Sequence, residues 1–78
     1  MDIIRVFGAN VRRYREAAGM SQEKLADKSG LHRTYISAVE RFQRSISLNN
    51  IQKIADALNV KTSRLFEEES VNELQPEE

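Results

Sequence analysis

Residues 21–41 read SQEKLADKSGLHRTYISAVER, and the fold is decided there. Ser21 is a hydroxyl residue followed by Gln22, Glu23 and Lys24, the pattern of a capped helix start with an acid in its first turn, where a negative charge complements the helix dipole. Leu25 and Ala26 are the buried residues of that helix. Gly30 ends it, because glycine enters the left-handed region without steric cost and lets the chain turn sharply. Leu31 plugs the corner. The next helix runs from about His32 to Arg41, with Val39 and either Tyr35 or Ile36 facing inward, and it leaves Arg33, Thr34, Ser37 and Arg41 outside.

Working outward toward the N-terminus, Ile3, Ile4, Phe7, Val11 and Tyr14 recur at spacings of one, three or four and predict an amphipathic helix. Its other side carries Arg5, Arg12, Arg13 and Arg15, and Gly19 is a natural stop. Toward the C-terminus, the periodicity breaks over residues 42–46 in a polar, basic linker. Ser47 then caps a helix with the stripe Leu48, Ile51, Ile54, Ala55 and Leu58, and Asn59 can end it in the left-handed region. Thr62 is expected to cap a last short helix bearing Leu65 and Phe66. Val71 and Leu74 could extend that helix, but acids oppose the dipole at a helix C-terminus, so fraying after about Glu69 is the expectation. There is no β alternation and no repeat. The reading is all-α: a compact bundle of five helices with its tight corner between the second and third.

The chain has 78 residues, enough for one small domain, with no cysteine and a single histidine. These numbers leave no disulfide framework, no thiolate chemistry and no multi-histidine metal cluster, so no metal and no cofactor are expected. No nucleophile–base pair is apparent, and an enzyme is not expected. No apolar run exceeds two residues, which excludes a membrane span and a secretory core and implies a cytoplasmic protein. A core of this size supplies only about 3–5 kcal/mol, a reason to expect a dimer. Lys and Arg total 12, as do Asp and Glu, yet all 12 bases and six of the acids fall within residues 1–66. Residues 67–78 hold the other six acids and no base, and are read as a flexible acidic tail behind a +6 domain.

The residues quoted at the outset, with Gln22 opening one helix, Leu25-Ala26 inside it, Gly30 at the turn, Ile36 within the next helix and Glu40 closing it, resemble the DNA-binding motif of phage repressor and Cro-like helix-turn-helix proteins. The resemblance extends from about Val6 to Phe66. The run His32 to Ser37, followed by Glu40-Arg41 and Arg44, is similar to the controller proteins of restriction-modification systems, although Phe42 stands where such proteins often have glycine or a polar residue. The resemblance implies that helices 2 and 3 form the helix-turn-helix, that Glu40 pairs with Arg15 on the first helix, and that the C-terminal helix forms a dimer interface. It also implies a regulator of its own promoter and of an endonuclease gene, activating at low occupancy and repressing when a second dimer fills an adjacent site, with RNA polymerase as a further partner.

Physical chemistry assigns the side chains in the same direction. The Arg33 guanidinium can take O6 and N7 of a guanine together, and Thr34 can meet a thymine methyl or donate its hydroxyl. Tyr35 either reaches DNA or shares the core with Ile36, and Ser37 lies one turn on from Arg33. Ser21, Gln22 and His32 stand at helix starts suited to phosphate, and Arg41, Gln43, Arg44 and Ser45 form a basic linker suited to the flanking backbone. A single recognition helix reads few base pairs, whereas a two-fold dimer reads half-sites about 34 Å apart on a pseudo-palindromic operator in double-stranded DNA. Ile46, Leu58, Val60, Leu65 and Phe66 are the candidate interface of such a homodimer. Two other readings remain open: an antitoxin of the same type that neutralises a toxin protein, and an interaction module that no longer touches DNA.

Overall fold

Three of the helices start on side-chain caps. Asp2 Oδ1 accepts the N–H groups of Ile4 and Arg5, Ser21 Oγ that of Lys24, and Ser47 Oγ that of Asn50. A computed structural model describes residues 2–68; within it these caps open α1 (Ile3–Ala17), α2 (Gln22–Ser29) and α4 (Leu48–Leu58), while α3 (Arg33–Glu40) follows His32 without a side-chain cap. A 3₁₀ turn follows at Thr62–Phe66. The expected fifth helix is therefore corrected to a single 3₁₀ turn, because five residues can close hardly any i→i−4 bonds and the tighter i→i−3 pattern satisfies more of them. Lys61, not Thr62, stands at its cap position. The fraying expected after Glu69, the extension through Val71 and Leu74, and the flexible tail beyond Glu68 lie outside the described residues.

The four α-helices α1 to α4 end in the same way. A left-handed residue follows each, namely Gly19, Gly30, Phe42 and Asn59, and the next N–H reaches back five residues: Met20 to Arg15, Leu31 to Ala26, Gln43 to Ala38 and Val60 to Ala55, at 2.9–3.1 Å. This is the Schellman motif, usually built on glycine. Phe42, at φ 64°, is the exception, since a bulky side chain there carries a cost of order 1–3 kcal/mol. Its ring is half-buried on α1, with the Arg5 guanidinium 4.6 Å from the centroid. Beneath it lies Gly8, buried in mid-helix, where a Cβ would meet the Phe42 ring at 2.9 Å and overlap the Val39 carbonyl oxygen outright. α1 and α3 thus touch backbone to backbone at Gly8, with the Phe42 ring of the linker beside them.

The core joins Phe7 and Val11 of α1, Leu25 and Ala26 of α2, Ile36 and Val39 of α3, and Ile54, Ala55 and Leu58 of α4 to Leu65 of the 3₁₀ turn. Ile36 is fully buried and Tyr35 half-buried, which decides the inward position of α3. Leu58 and Leu65 are corrected from the proposed interface to the core, because they are 7% and 0% exposed and have no surface to offer a second chain. α1 docks this turn directly. Buried Asn10 donates from Nδ2 to the carbonyls of Leu65 and Glu67 at 3.0 and 3.1 Å, and the rings of Phe7 and Phe66 lie 5.2 Å apart. By contrast the apolar stripes overhang the core at two helix starts: Ile3 is 48% and Leu48 84% exposed.

One charged cluster crosses this apolar packing. Arg15 donates Nε to Glu40 Oε2 at 2.7 Å and Nη2 to Oε1 at 2.9 Å, a bidentate fork, while its Nη1 donates to the Met20 carbonyl at 2.8 Å. Gln22 adds Nε2 to Glu40 Oε1 at 3.1 Å. The hydrogen bond to Glu40 raises the Arg15 pKa, against the opposing effect of burial and with help from the charges of Glu40 and Glu16. A raised cationic pKa stabilises the fold below the unfolded value and loses that contribution only as pH climbs through the folded one. For arginine this window lies in strong alkali, so its contribution is constant across the neutral range.

Two substitutions test this packing. Gly8→Ala in an unconstrained helix would stabilise by about 0.5–1 kcal/mol, but the clash with the Val39 carbonyl should reverse the sign and cost roughly 1–3 kcal/mol, read as a lower urea midpoint. Glu40→Ala strands a buried guanidinium and should cost about 3–5 kcal/mol, a fall of roughly 12 °C or more in Tm followed by circular dichroism. A Glu40→Ala protein that keeps its melting temperature would sink the structural role of the pair.

Candidate nucleic-acid interface

α3 begins at His32 with its first-turn N–H groups unoccupied by any side chain, so the positive end of the helix dipole faces solvent. Arg33 and Thr34 follow immediately, both exposed, and neither side chain bonds to another described residue. Ser37 and Ala38 are half-buried one turn on and are small, so the helix flank is low there. Glu40, whose side chain is 3% exposed, is turned wholly inward and adds no negative charge to this face.

The linker folds back over the same helix. Arg41 donates Nε to the Ser37 carbonyl at 3.3 Å, and the Arg44 guanidinium lies 4.8 Å from the centroid of the Tyr35 ring, a cation–π distance. Gln43 and Ser45 are exposed beside them. The Tyr35 hydroxyl accepts Nδ2 of Asn50 at 3.2 Å. Tyr35 is thus neither a free reader nor a core residue: its hydroxyl reaches α4 and its ring supports Arg44.

The start of α2 is brought to the end of α3 by the Gln22–Glu40 bond. That bond supplies the structural reason for Gln22 that its position in the sequence does not reveal, and it commits part of the amide that was expected to meet phosphate. Ser21 Oγ is an acceptor within its cap and retains its own proton to donate. Arg33 and Ser37, four residues apart, lie along one side of α3, and Arg41 one turn further on reaches back to the Ser37 carbonyl. Asn50 was not foreseen, because a polar residue in the first turn of a helix is unremarkable without the α3 contact.

The interface candidates do not gather in one place. Ile46 and Phe66 line an apolar hollow of about 380 Å³ with Ile3, Ile4, Leu48 and Ile51, and Arg44 and Ser45 stand at its edge. Val60 lies elsewhere, beside Arg13, Tyr14, Lys61 and Arg64. Among the described residues no cluster of three or more metal-binding side chains occurs, and no helix is long and apolar enough to cross a membrane.

Comparison with known proteins accords with this geometry. Residues 11–65 match the family model described as helix-turn-helix. The control protein C.SmaI of Serratia marcescens is 47% identical over 66 residues, covering 85% of this chain and 79% of its own. The crystal structure of the restriction-modification controller protein C.AhdI from Aeromonas hydrophila aligns with a TM-score of 0.79 at 49% identity, over 81% of this chain and 96% of that one. The controller protein C.Esp1396I, solved as a tetramer in complex with its natural 35-base-pair operator, aligns with a TM-score of 0.78 at 32% identity over 91% of each chain. With its capped α2, Gly30 corner and inward Glu40 in place, the chain belongs to the helix-turn-helix family and, within it, to the controller proteins of restriction-modification systems.

Proposed function

We propose that the protein is a homodimeric, sequence-specific DNA-binding regulator that inserts α3 into the major groove of a pseudo-palindromic operator. The observation that carries the reading is the pairing of an exposed, unengaged Arg33 and Thr34 at the uncapped start of α3 with the complete withdrawal of Glu40 from the same helix face. Arg33 takes a guanine edge and Thr34 a neighbouring base, with Ser37 and the Tyr35 hydroxyl within the same groove. Ser21, Gln22 and His32 at the two helix starts, with Arg41, Gln43, Arg44 and Ser45, hold the phosphates on either side. By analogy with the operator-bound tetramer of C.Esp1396I, two dimers occupy adjacent sites; the likeness to controller proteins of restriction-modification systems makes the protein's own gene and that of an endonuclease the proposed targets. The residues given these tasks all fall within residues 1–66.

The dimer face is placed on the apolar hollow instead of on the core leucines. Ile3, Ile46, Leu48, Ile51 and Phe66 form one patch, and Leu48, at 84% exposure, is not covered by the core among the described residues. A second copy is the occupant that fits, since a two-fold pairing would bury the patch against itself and set two α3 helices for two half-sites.

Three measurements test this. Affinity for random duplex DNA should fall with salt at a log–log slope near −0.9 per phosphate contacted, and a salt-independent affinity would defeat the DNA reading. Arg33→Ala should lose about 1–3 kcal/mol on duplexes selected by the native protein and relax preference at one guanine per half-site, scored by competition binding. In sedimentation at micromolar concentration Leu48→Asp should be a folded monomer while the native chain is a dimer; a native monomer would remove the proposed face.

A further inference from the structure

We infer that Asn50, on α4 and outside the two helices that meet DNA, is a positioning residue for base readout: it holds the Tyr35 hydroxyl and, through the Tyr35 ring, the pose of Arg44. The inference rests on the reading above that α3 and the linker contact the operator. Asn50 is half-buried three residues into α4 from the Ser47 cap, and its backbone N–H serves that cap. Its side chain serves no need of α4. A Glu or Gln at this position could reach back to close a capping box, whereas asparagine is a poor helix residue, and here it points across to α3. Nδ2 donates to the Tyr35 oxygen at 3.2 Å.

The direction of that bond determines what Tyr35 has left to offer. A phenol has one proton and two lone pairs, so a hydroxyl that accepts from Asn50 keeps its proton for a second partner on the side away from α4. The acceptors brought there by DNA are phosphate oxygens and the O6, N7 or O4 atoms of base edges. A donor already accepting a hydrogen bond is polarised by it and donates more strongly. Arg44 follows from the same contact. It is an exposed linker residue with many rotamers, and its guanidinium lies 4.8 Å from the centroid of a ring that Asn50 prevents from swinging. A cation already placed over its shelf loses less freedom on meeting DNA than one free in solvent.

The test is a cycle of four proteins, native, Asn50→Ala, Tyr35→Phe and both together, on a duplex selected from a randomised pool by the native protein, at one salt concentration. Affinity is read by fluorescence anisotropy, base preference by competition with single-substitution duplexes, and folding by melting temperature. Each single variant should bind about two- to tenfold more weakly, and the double variant no more weakly than the worse single one. Asn50→Ala should also alter preference at the same base pairs as Tyr35→Phe. Losses that multiply, or an Asn50→Ala protein with native preference and only a lowered melting temperature, would overturn the positioning role. Native binding by Tyr35→Phe would instead show that the hydroxyl is not read at all, which overturns both the inference and the assignment of that hydroxyl to DNA, while leaving Arg33 to its own test.

Discussion

A carboxylate on a helix meant for DNA is a contradiction unless it has somewhere else to go, and the fold is arranged around where Glu40 goes. Its two oxygens meet the fork of Arg15 on α1 and the amide of Gln22 on α2, while Arg15 also holds the Met20 carbonyl between those helices. Four segments are thereby referred to one side chain. A buried ion pair is weak evidence for net stability, since desolvation offsets much of the attraction. Its geometric demand is strict, however: a bidentate fork tolerates only one register of α3 against α1. The register that satisfies Glu40 is the one that buries Ile36 and Val39 and turns Arg33 and Thr34 outward.

The crossing of α1 and α3 adds a second constraint, and here residue types said less. Gly19, Gly30 and Asn59 announce left-handed helix ends, because those residues enter that region cheaply, and all three are found there. Phe42 does the same work without announcing it. Its conformation is held by what surrounds it, a ring resting over Gly8 and under Arg5, and such contacts are set by tertiary structure. Gly8 was legible in principle, for a glycine within an amphipathic helix needs a reason. That reason, the Val39 carbonyl, lies 31 residues away along the chain.

The functional face was legible to the extent that it depends on local structure. The position of Arg33 and Thr34 follows from Gly30 and the helix period alone. Tyr35 could not be placed from the sequence, because its neighbours in space, Arg44 and Asn50, belong to the linker and to α4. Two of the expected interface residues belong to the core for the corresponding reason. Leu58 and Leu65 appeared surplus to a short terminal element, but Phe7 and Asn10, more than 45 residues earlier, provide the surface on which that element docks. Leu48 fits the stripe of α4 by period, yet it sits in the first turn, beyond the edge of the core, so periodicity puts it on the correct face and at the wrong depth.

Net charge is the last quantity that the structure reinterprets. The formal value is zero, but a binding surface responds to charges within about a Debye length, roughly 8–10 Å in physiological salt. Glu40 is consumed by Arg15, Glu16 lies 3.1 Å from Arg12, Asp2 caps α1 beside Arg5, and Glu67 lies 3.3 Å from Arg64. Arg33, Arg41 and Arg44 have no carboxylate partner among the described residues; Arg41 is turned to a carbonyl and Arg44 to an aromatic ring. These four acids are paired with cations outside α3 and its linker, and Arg33, Arg41 and Arg44 keep their field for a polyanion. A chain of zero formal charge can present a cationic face because half of its acids fall within residues 67–78, and Glu40, the acid closest to that face in sequence, is withdrawn onto Arg15.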